Sequence, residues 1–294
     1  MRHQHSLSPV AILFVAIVTA CTPVASGPFT ATDLAKEEAK FAAYSVKNGM
    51  RAAFLEFFAE KSWLLRPDPV DAQSWISARP DPKIVLNWES ARTALSASGD
   101  LGFSTGPSIY HSKAEPKAPA GHGQFFSVWQ KQKNGEWKVL IDHGISHPPT
   151  ATPDALPHTP LLAIDLSAGS IVGNTPADDA ERQFTAQNIP PYAEVITPRT
   201  RLLREGQFPI DGQAAINEYM KSPQGKWSWT TKLNGASAAN DFAYALGDYT
   251  CQPTEGETRR GKYVRVWVRD SAAAAARRWT LLSEVLTPDP PPKS

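Results

Sequence analysis

Apolar and polar positions alternate along this chain with two different periods, and the same order of periods occurs twice. In the first half, Leu34, Phe41 and Tyr44 fall at helical spacing, with Asp33 placed to cap a helix that ends near Asn48-Gly49. A second helix is expected over Met50 to Glu60 and a short one over Val70 to Ala78, before the turn Arg79-Pro80-Asp81-Pro82. Strand-like segments then follow at Ile84 to Glu89, Leu101 to Ser104, Ser108 to Ser112, Gly123 to Gln132 and Trp137 to His143. The last two are joined by Lys133-Asn134-Gly135-Glu136, whose Asn-Gly pair favours a hairpin.

The second half has helices expected at Ala177 to Gln187, near Arg199 and at Gln213 to Lys221, with a turn at 222–225. Strands are expected at Trp227 to Leu233, Phe242 to Gln252, Gly261 to Arg269 and Arg278 to Leu286, with 271–276 lengthening a hairpin loop. Several residues recur at a nearly constant offset. Trp88 and Trp229, Asp100 and Asp241, and Gly106 and Gly247 are 141 apart; Trp129 and Trp267 are 138 apart, and Trp137 and Trp279 are 142 apart. Small offset changes are what loop-length differences produce, so the halves read as two copies of one fold. Between them, five prolines over 147–160 exclude a helix interior or a central strand.

The N-terminus reads as an address. Arg2 and a short polar stretch precede the apolar run Val10 to Val18, which falls short of the roughly 20 residues needed to span a bilayer. Val18-Thr19-Ala20-Cys21 then resembles the bacterial lipoprotein lipobox. That resemblance implies cleavage before Cys21, lipidation of its thiol and attachment to a bilayer, with Thr22 favouring the outer membrane of a Gram-negative envelope. Residues 1–20 are thus expected as a signal peptide and 21–32 as a tether. Cys251 is then without a disulfide partner, and it is expected as a buried thiol at a strand end rather than a nucleophile, because no His lies near it in sequence.

Charge narrows the partners. Lys plus Arg number 30 and Asp plus Glu 29; the first twenty residues contribute only Arg2, so the remainder is balanced at 29 against 29. With no dense basic run, a nucleic-acid partner is not expected. Nine Trp are an unusual number, and large rings of this kind fill cores readily.

Helices followed by several strands in each half indicate an α+β class with helices packed on one face of an antiparallel sheet. The residues Gly99-Asp100-Leu101-Gly102-Phe103-Ser104-Thr105-Gly106, Phe126-Ser127-Val128-Trp129-Gln130-Lys131-Gln132 and Gly135-Glu136-Trp137-Lys138-Val139 resemble the nuclear transport factor 2-like superfamily, in particular its SnoaL-like and calcium/calmodulin-kinase-association-like branch. The resemblance is good over 33–148 and weaker over 178–287, where Asn240-Asp241 replaces the Gly-Asp pair. It implies two tandem cone-shaped domains, at 33–148 and 177–287, each a curved antiparallel sheet wrapped around its helices, with a linker at 149–176 and a Pro-rich tail at 288–294. The cone of such a fold usually opens into a pocket. The superfamily holds both enzymes and pure binders, so fold does not give function.

The resemblance also maps an acid-then-His pair onto Asp142 and His143, candidate acid or base groups. On a regular strand Trp137, Val139, Ile141 and His143 share one face and Lys138, Leu140 and Asp142 the other, so only one of the pair enters the cone unless a bulge intervenes. Tyr110 is a candidate hydrogen-bond donor, and Tyr44, Trp88 and Trp129 are candidate pocket residues, each with core packing as the alternative. Glu284 aligns with Asp142, and no His follows it. No metal site is expected from the His spacing, no phosphate loop or G-x-S-x-G elbow occurs, and no cofactor is expected.

Three readings stay open at this point. The chain is a lipid-anchored binder of a small apolar or amphipathic ligand in the first cone. Or it is an isomerase, dehydratase or hydrolase using Asp142 or His143 as base. Or it is a partner-binding module whose halves pair as a pseudo-dimer. The alternation of Tyr263, Arg265, Trp267 and Arg269 with Val264, Val266 and Val268 fits a sheet with both faces in use.

Overall fold

The computed structural model describes residues 28–167, 177–222, 225–269 and 279–290. The signal peptide, residues 21–27 of the expected tether and the alanine-rich segment 271–276 lie outside the described residues, and the expected tether ends early, because α1 begins at Ala31.

The N-terminal half runs α1 (Ala31–Asn48), α2 (Met50–Phe57), β1 (Phe58–Leu65), β2 (Pro69–Asp71), α3 (Ala72–Ser77), β3 (Ile84–Trp88), β4 (Arg92–Leu95), β5 (Leu101–Ser112), β6 (Gly121–Lys131), β7 (Trp137–His147) and β8 (Leu162–Asp165). The C-terminal half runs α4 (Ala177–Thr185), α5 (Tyr192–Val195), β9 (Arg201–Arg204), β10 (Ile210–Asp211), α6 (Gly212–Tyr219), β11 (Lys226–Ala236), β12 (Phe242–Gln252), β13 (Arg259–Val268) and β14 (Thr280–Pro288). Each half forms one sheet, ordered β2-β1-β7-β6-β5-β4-β8 with β3 also on β5, and β10-β9-β14-β13-β12-β11. This is a cone-like α+β arrangement.

Local chemistry explains where elements begin and end. Thr30, not Asp33, caps α1: its hydroxyl accepts from Asp33 N while the Asp33 carboxylate accepts from Thr30 N, a reciprocal box. Gly49, at φ 92°, ends the helix. The second helix stops at Phe57 rather than Glu60, because Phe58 turns extended and starts β1, a strand the apolar spacing conceals. The segments expected at 101–104 and 108–112 are one strand. Gly106 sits mid-strand because a Cβ there would come within 2.0 Å of Glu89 O, and Gly247 is held for the same reason by Thr230 O at 2.0 Å. The short helix expected near Arg199 lies earlier, at Tyr192–Val195.

Two further expectations need correction. The sheets are mixed, since β1 runs parallel to β7 and β9 parallel to β14. In each half the first strand lies beside the last long strand, and the chain between the two is long enough for the crossover that a parallel pair needs. The segment expected as linker supplies β8, which pairs parallel with β4. It does so past the proline cluster, where Leu162-Ala163-Ile164 is free of proline and satisfies an otherwise open sheet edge.

The two sheets pack face to face. Phe103, Phe126, Val128, Ile141 and Ile145 from the first meet Phe242, Leu246, Val264, Val266 and Val285 from the second in one buried apolar cluster. A reciprocal exchange closes one end of this layer. Ala97 N donates to Asp241 at 2.8 Å, and Ala238 N donates to Asp100 at 2.8 Å. Each Asp also accepts from the hydroxyl four residues before it, Ser96 or Ser237. Arg92 and Asp211 add an ion pair at 3.0 Å. Replacing Leu246 by Ala removes a fully buried side chain from this shared layer and is expected to cost about 2–5 kcal/mol. Because both halves lean on the layer, calorimetry is expected to show one transition moving down as a unit; two separate transitions would contradict the shared core.

Candidate functional site

The concave face of the first sheet is closed by α1. Leu34, Glu38, Phe41 and Ser45 lie along its buried side, so a carboxylate sits in an apolar stripe. Glu38 is 1% exposed and accepts from the indole nitrogens of Trp88 and Trp129, both at 2.7 Å. Burial pushes the Glu38 carboxyl up to about 7 despite those two bonds, and the nearby Asp142 adds to the rise. Glu38 escaped sequence reasoning; the signal for it was an acid among apolar residues spaced four and three apart.

A bulge in β7 decides which side chains enter the cone. Val128 pairs with Ile141 while Trp129 pairs with Val139, so Leu140 is the extra residue. The face grouping expected for a regular strand is thereby changed: Val139 and Asp142 point to the same concave side. The Ser127 hydroxyl donates to Asp142 at 3.0 Å. His143 points the other way, into the layer between sheets, where its Nε2 meets the Thr287 hydroxyl at 2.9 Å. The pair is therefore split between two faces.

A cavity of about 230 Å³ opens above this floor, with Asp142, Trp88, Phe125, Leu86, Phe54 and Arg66 among its walls. Glu205, from the turn after β9, reaches its mouth, where Ser146 N donates to it at 3.2 Å. A smaller apolar cavity of about 90 Å³ shares Met50, Phe54 and Arg66 with the first. Tyr110 stands at the rim, 39% exposed, stacked over Gly121, whose Cβ would meet the phenol ring at 1.9 Å. Trp129 is fully buried beneath the floor, bonded to Glu38. Tyr44 does not line this cavity; it sits on the outer side of α1 with its ring edge against Phe57 at 5.8 Å, because the helix turns that position away from the cone. Cys251 is buried at the end of β12, where Arg259 donates to its sulfur at 3.6 Å.

The electrostatics are those of a polar spot at the base of an apolar hole. Burial pushes the Asp142 carboxyl up to about 7, with the Ser127 hydroxyl and the Arg66 charge pulling against it. Burial holds the His143 imidazole down at about 3, with Arg66 adding to the effect. Among the described residues Arg66 forms no ion pair, and its Nη1 donates to Leu65 O at 2.7 Å.

These shifts act on stability in opposite directions. The groups facing Asp142 are Glu38 from α1, Arg66 after β1 and Ser127 from β6; its neighbour His143 lies on the opposite face. Asp142 and Glu38 hold protons in the folded chain that the unfolded chain releases above their ordinary values of 3.8 and 4.5, so they lower stability as pH rises toward 7. His143 stays neutral when folded but charges when unfolded below 6.5, so it lowers stability as pH falls. Asp142→Asn is therefore expected to raise the melting temperature more at pH 8 than at pH 5, and His143→Gln the reverse. Equal shifts at both pH values would contradict the burial of these groups.

No family model matches the chain, and no curated protein matches it. Among solved structures it is similar to nuclear transport factor 2 from Cryptosporidium parvum, at 17% identity over 41% of this chain and 100% of that one, with a TM-score of 0.29. It is also similar to a putative calcium/calmodulin-dependent kinase II association domain from Exiguobacterium sibiricum (15% identity, 42% of this chain, 100% of that one, TM-score 0.32). A third is a ketosteroid isomerase-like protein from Erwinia carotovora atroseptica (12% identity, 40% and 96%, TM-score 0.30). The structures it is similar to thus include nuclear transport factor 2-like and ketosteroid isomerase-like proteins.

Proposed function

We propose that the N-terminal half binds a small amphipathic molecule in the cavity above Asp142. The observation that carries this reading is the joining of an apolar wall (Trp88, Phe125, Leu86, Phe54) to buried polar groups, Asp142 and Arg66 among them, in a hole of about 230 Å³. That volume lies just under the roughly 300–1,000 Å³ of drug-sized pockets, which suits a compact ligand or the end of a longer one. The C-terminal half acts as support. In this reading the halves are tandem copies of one domain paired through their outer sheet faces, and the lipobox ending in Cys21 tethers them to the envelope. Labelling with a radioactive fatty acid, lost in Cys21→Ser, tests that address.

A second reading has one observation in its favour. A carboxyl brought to about 7 inside a cavity is matched to proton transfer near neutral pH, with Asp142 as the acid or base and Tyr110 as donor at the rim. His143 takes no part in it, because it faces the other sheet.

Ser108 lines the cavity opposite Trp88 in the β3–β5 pairing, so Ser108→Phe fills the hole with a ring. Screening a set of small aromatic amphiphiles by saturation-transfer NMR is expected to find binders to the wild-type chain that Ser108→Phe no longer takes up, with folding retained. Binders that are indifferent to Ser108→Phe would place binding elsewhere and defeat the reading.

A further inference from the structure

The C-terminal half holds, at the position that corresponds to the cavity, a charged group of its own. Superposing the two halves by strand register and contact matches Glu38 with Glu181, each accepting from an indole, Trp129 or Trp267, at 2.7 and 2.8 Å. It matches Phe41 with Phe184, each packed edge-on against that indole. Leu64 pairs with Asp142 as Leu202 pairs with Glu284, which aligns Arg66 with Arg204. Phe54 corresponds to Tyr192, since Phe58 N and Ile196 N close the same helical turn onto them. The bulges in β7 and β14 then align Ser127 with Arg265 and Phe125 with Tyr263.

Arg265 is fully buried in the C-terminal half. Its Nη1 donates to Glu181 at 2.6 Å and its Nε to Glu284 at 2.5 Å. Its guanidinium lies 4.0 Å from the Trp229 ring centre, 4.2 Å from Tyr263 and 4.3 Å from Phe184. Arg204 shares the same Glu284 at 2.5 Å, and the Tyr192 hydroxyl donates to it at 2.5 Å. Two guanidinium groups therefore face two carboxylates. The N-terminal half keeps both carboxyls, Glu38 and Asp142, and one cation, Arg66, but has the short Ser127 where the second guanidinium stands. It also replaces Tyr192 by Phe54, and it shortens Glu284 to Asp142. Of these three positions Phe54 and Asp142 stand on the cavity wall, as do Trp88 and Phe125, the counterparts of two rings that surround Arg265, while Ser127 is buried behind Asp142.

We propose that this cavity takes a ligand bearing a planar cation, an amidinium or guanidinium group, seated against Asp142, Trp88 and Phe125 where the other half seats its own Arg265. The proposal rests on the ligand-binding reading and gives that ligand its class. A charge-assisted bond to Asp142 and the faces of two aromatic rings are the interactions that such a group makes in the C-terminal half. Arg66 does not oppose it, because Arg204 already shows that a second guanidinium shares the one carboxylate. Glu205 at the mouth adds attraction, and Leu86, Phe54 and the apolar annex through Met50 accept the rest of the molecule.

Titration of the full chain with benzamidinium, benzamide and benzoate, followed by calorimetry and by the indole signals of Trp88, tests the assignment. Benzamidinium is expected to bind at least about tenfold more tightly than benzamide, and benzoate not at all. Asp142→Asn is expected to erase that preference. Ser127→Arg rebuilds the arrangement of the other half and is expected to block benzamidinium and raise the melting temperature; if it does not fold, Asp142→Asn decides alone. Benzamide or benzoate binding as tightly as benzamidinium overturns the cation assignment while leaving a ligand site in place. Silence from all three overturns the cation assignment, and silence from the aromatic amphiphiles as well defeats the ligand-binding reading.

Discussion

Charge carried into the interior of a cone of strands has to be matched there, because water is not present to do it. Both halves of this protein carry a carboxylate on the helix that fills the cone, Glu38 or Glu181, bonded to the indole behind it. The C-terminal half completes the match with two arginines. Burial pushes the Glu284 carboxyl up, but Arg204 and Arg265 outweigh it and hold it below the ordinary range. The N-terminal half does not complete the match. Its carboxyls rise instead, and a cavity opens beside one of them, Asp142.

That asymmetry sits on a common frame. The outer faces of both sheets are spent on each other, so neither half presents an open β-surface over Val264, Val266, Phe103 or Phe126. What remains for function is the concave side, where the N-terminal half joins a cavity to the Asp142 carboxyl. The turn after β9 carries Glu205 to its mouth, so the supporting half also shapes the entrance.

Much of the frame was legible in the residues. The strands after each helical segment and the recurring Trp, Asp and Gly positions follow from periodicity, and the Asp100 and Asp241 pair turned out to be a reciprocal contact. Strands β1 and β9 were not legible. Phe58–Leu65 continues an apolar helical run with no Gly or Pro to mark the change, and Arg201–Arg204 is too short to show a period. The site was legible in part. Asp142 was found through a resemblance, but its orientation depends on a one-residue bulge at Leu140 that no turn residue announces. The alternation of Arg265 with valines showed that both faces of β13 are used. It did not show that the guanidinium is an internal ligand, because its partners Glu181 and Glu284 lie far away in sequence.

The central claim is that buried charge is balanced in one half and short of a cation in the other. Carboxyl carbon NMR, following Asp142, Glu38 and Glu284 through pH, tests it most directly. Asp142 and Glu38 are expected to titrate near 7, while Glu284 stays ionised below its ordinary value of 4.5. Asp142 titrating near 3.8, alongside Glu284, would show that both cones are equally balanced and would contradict the account.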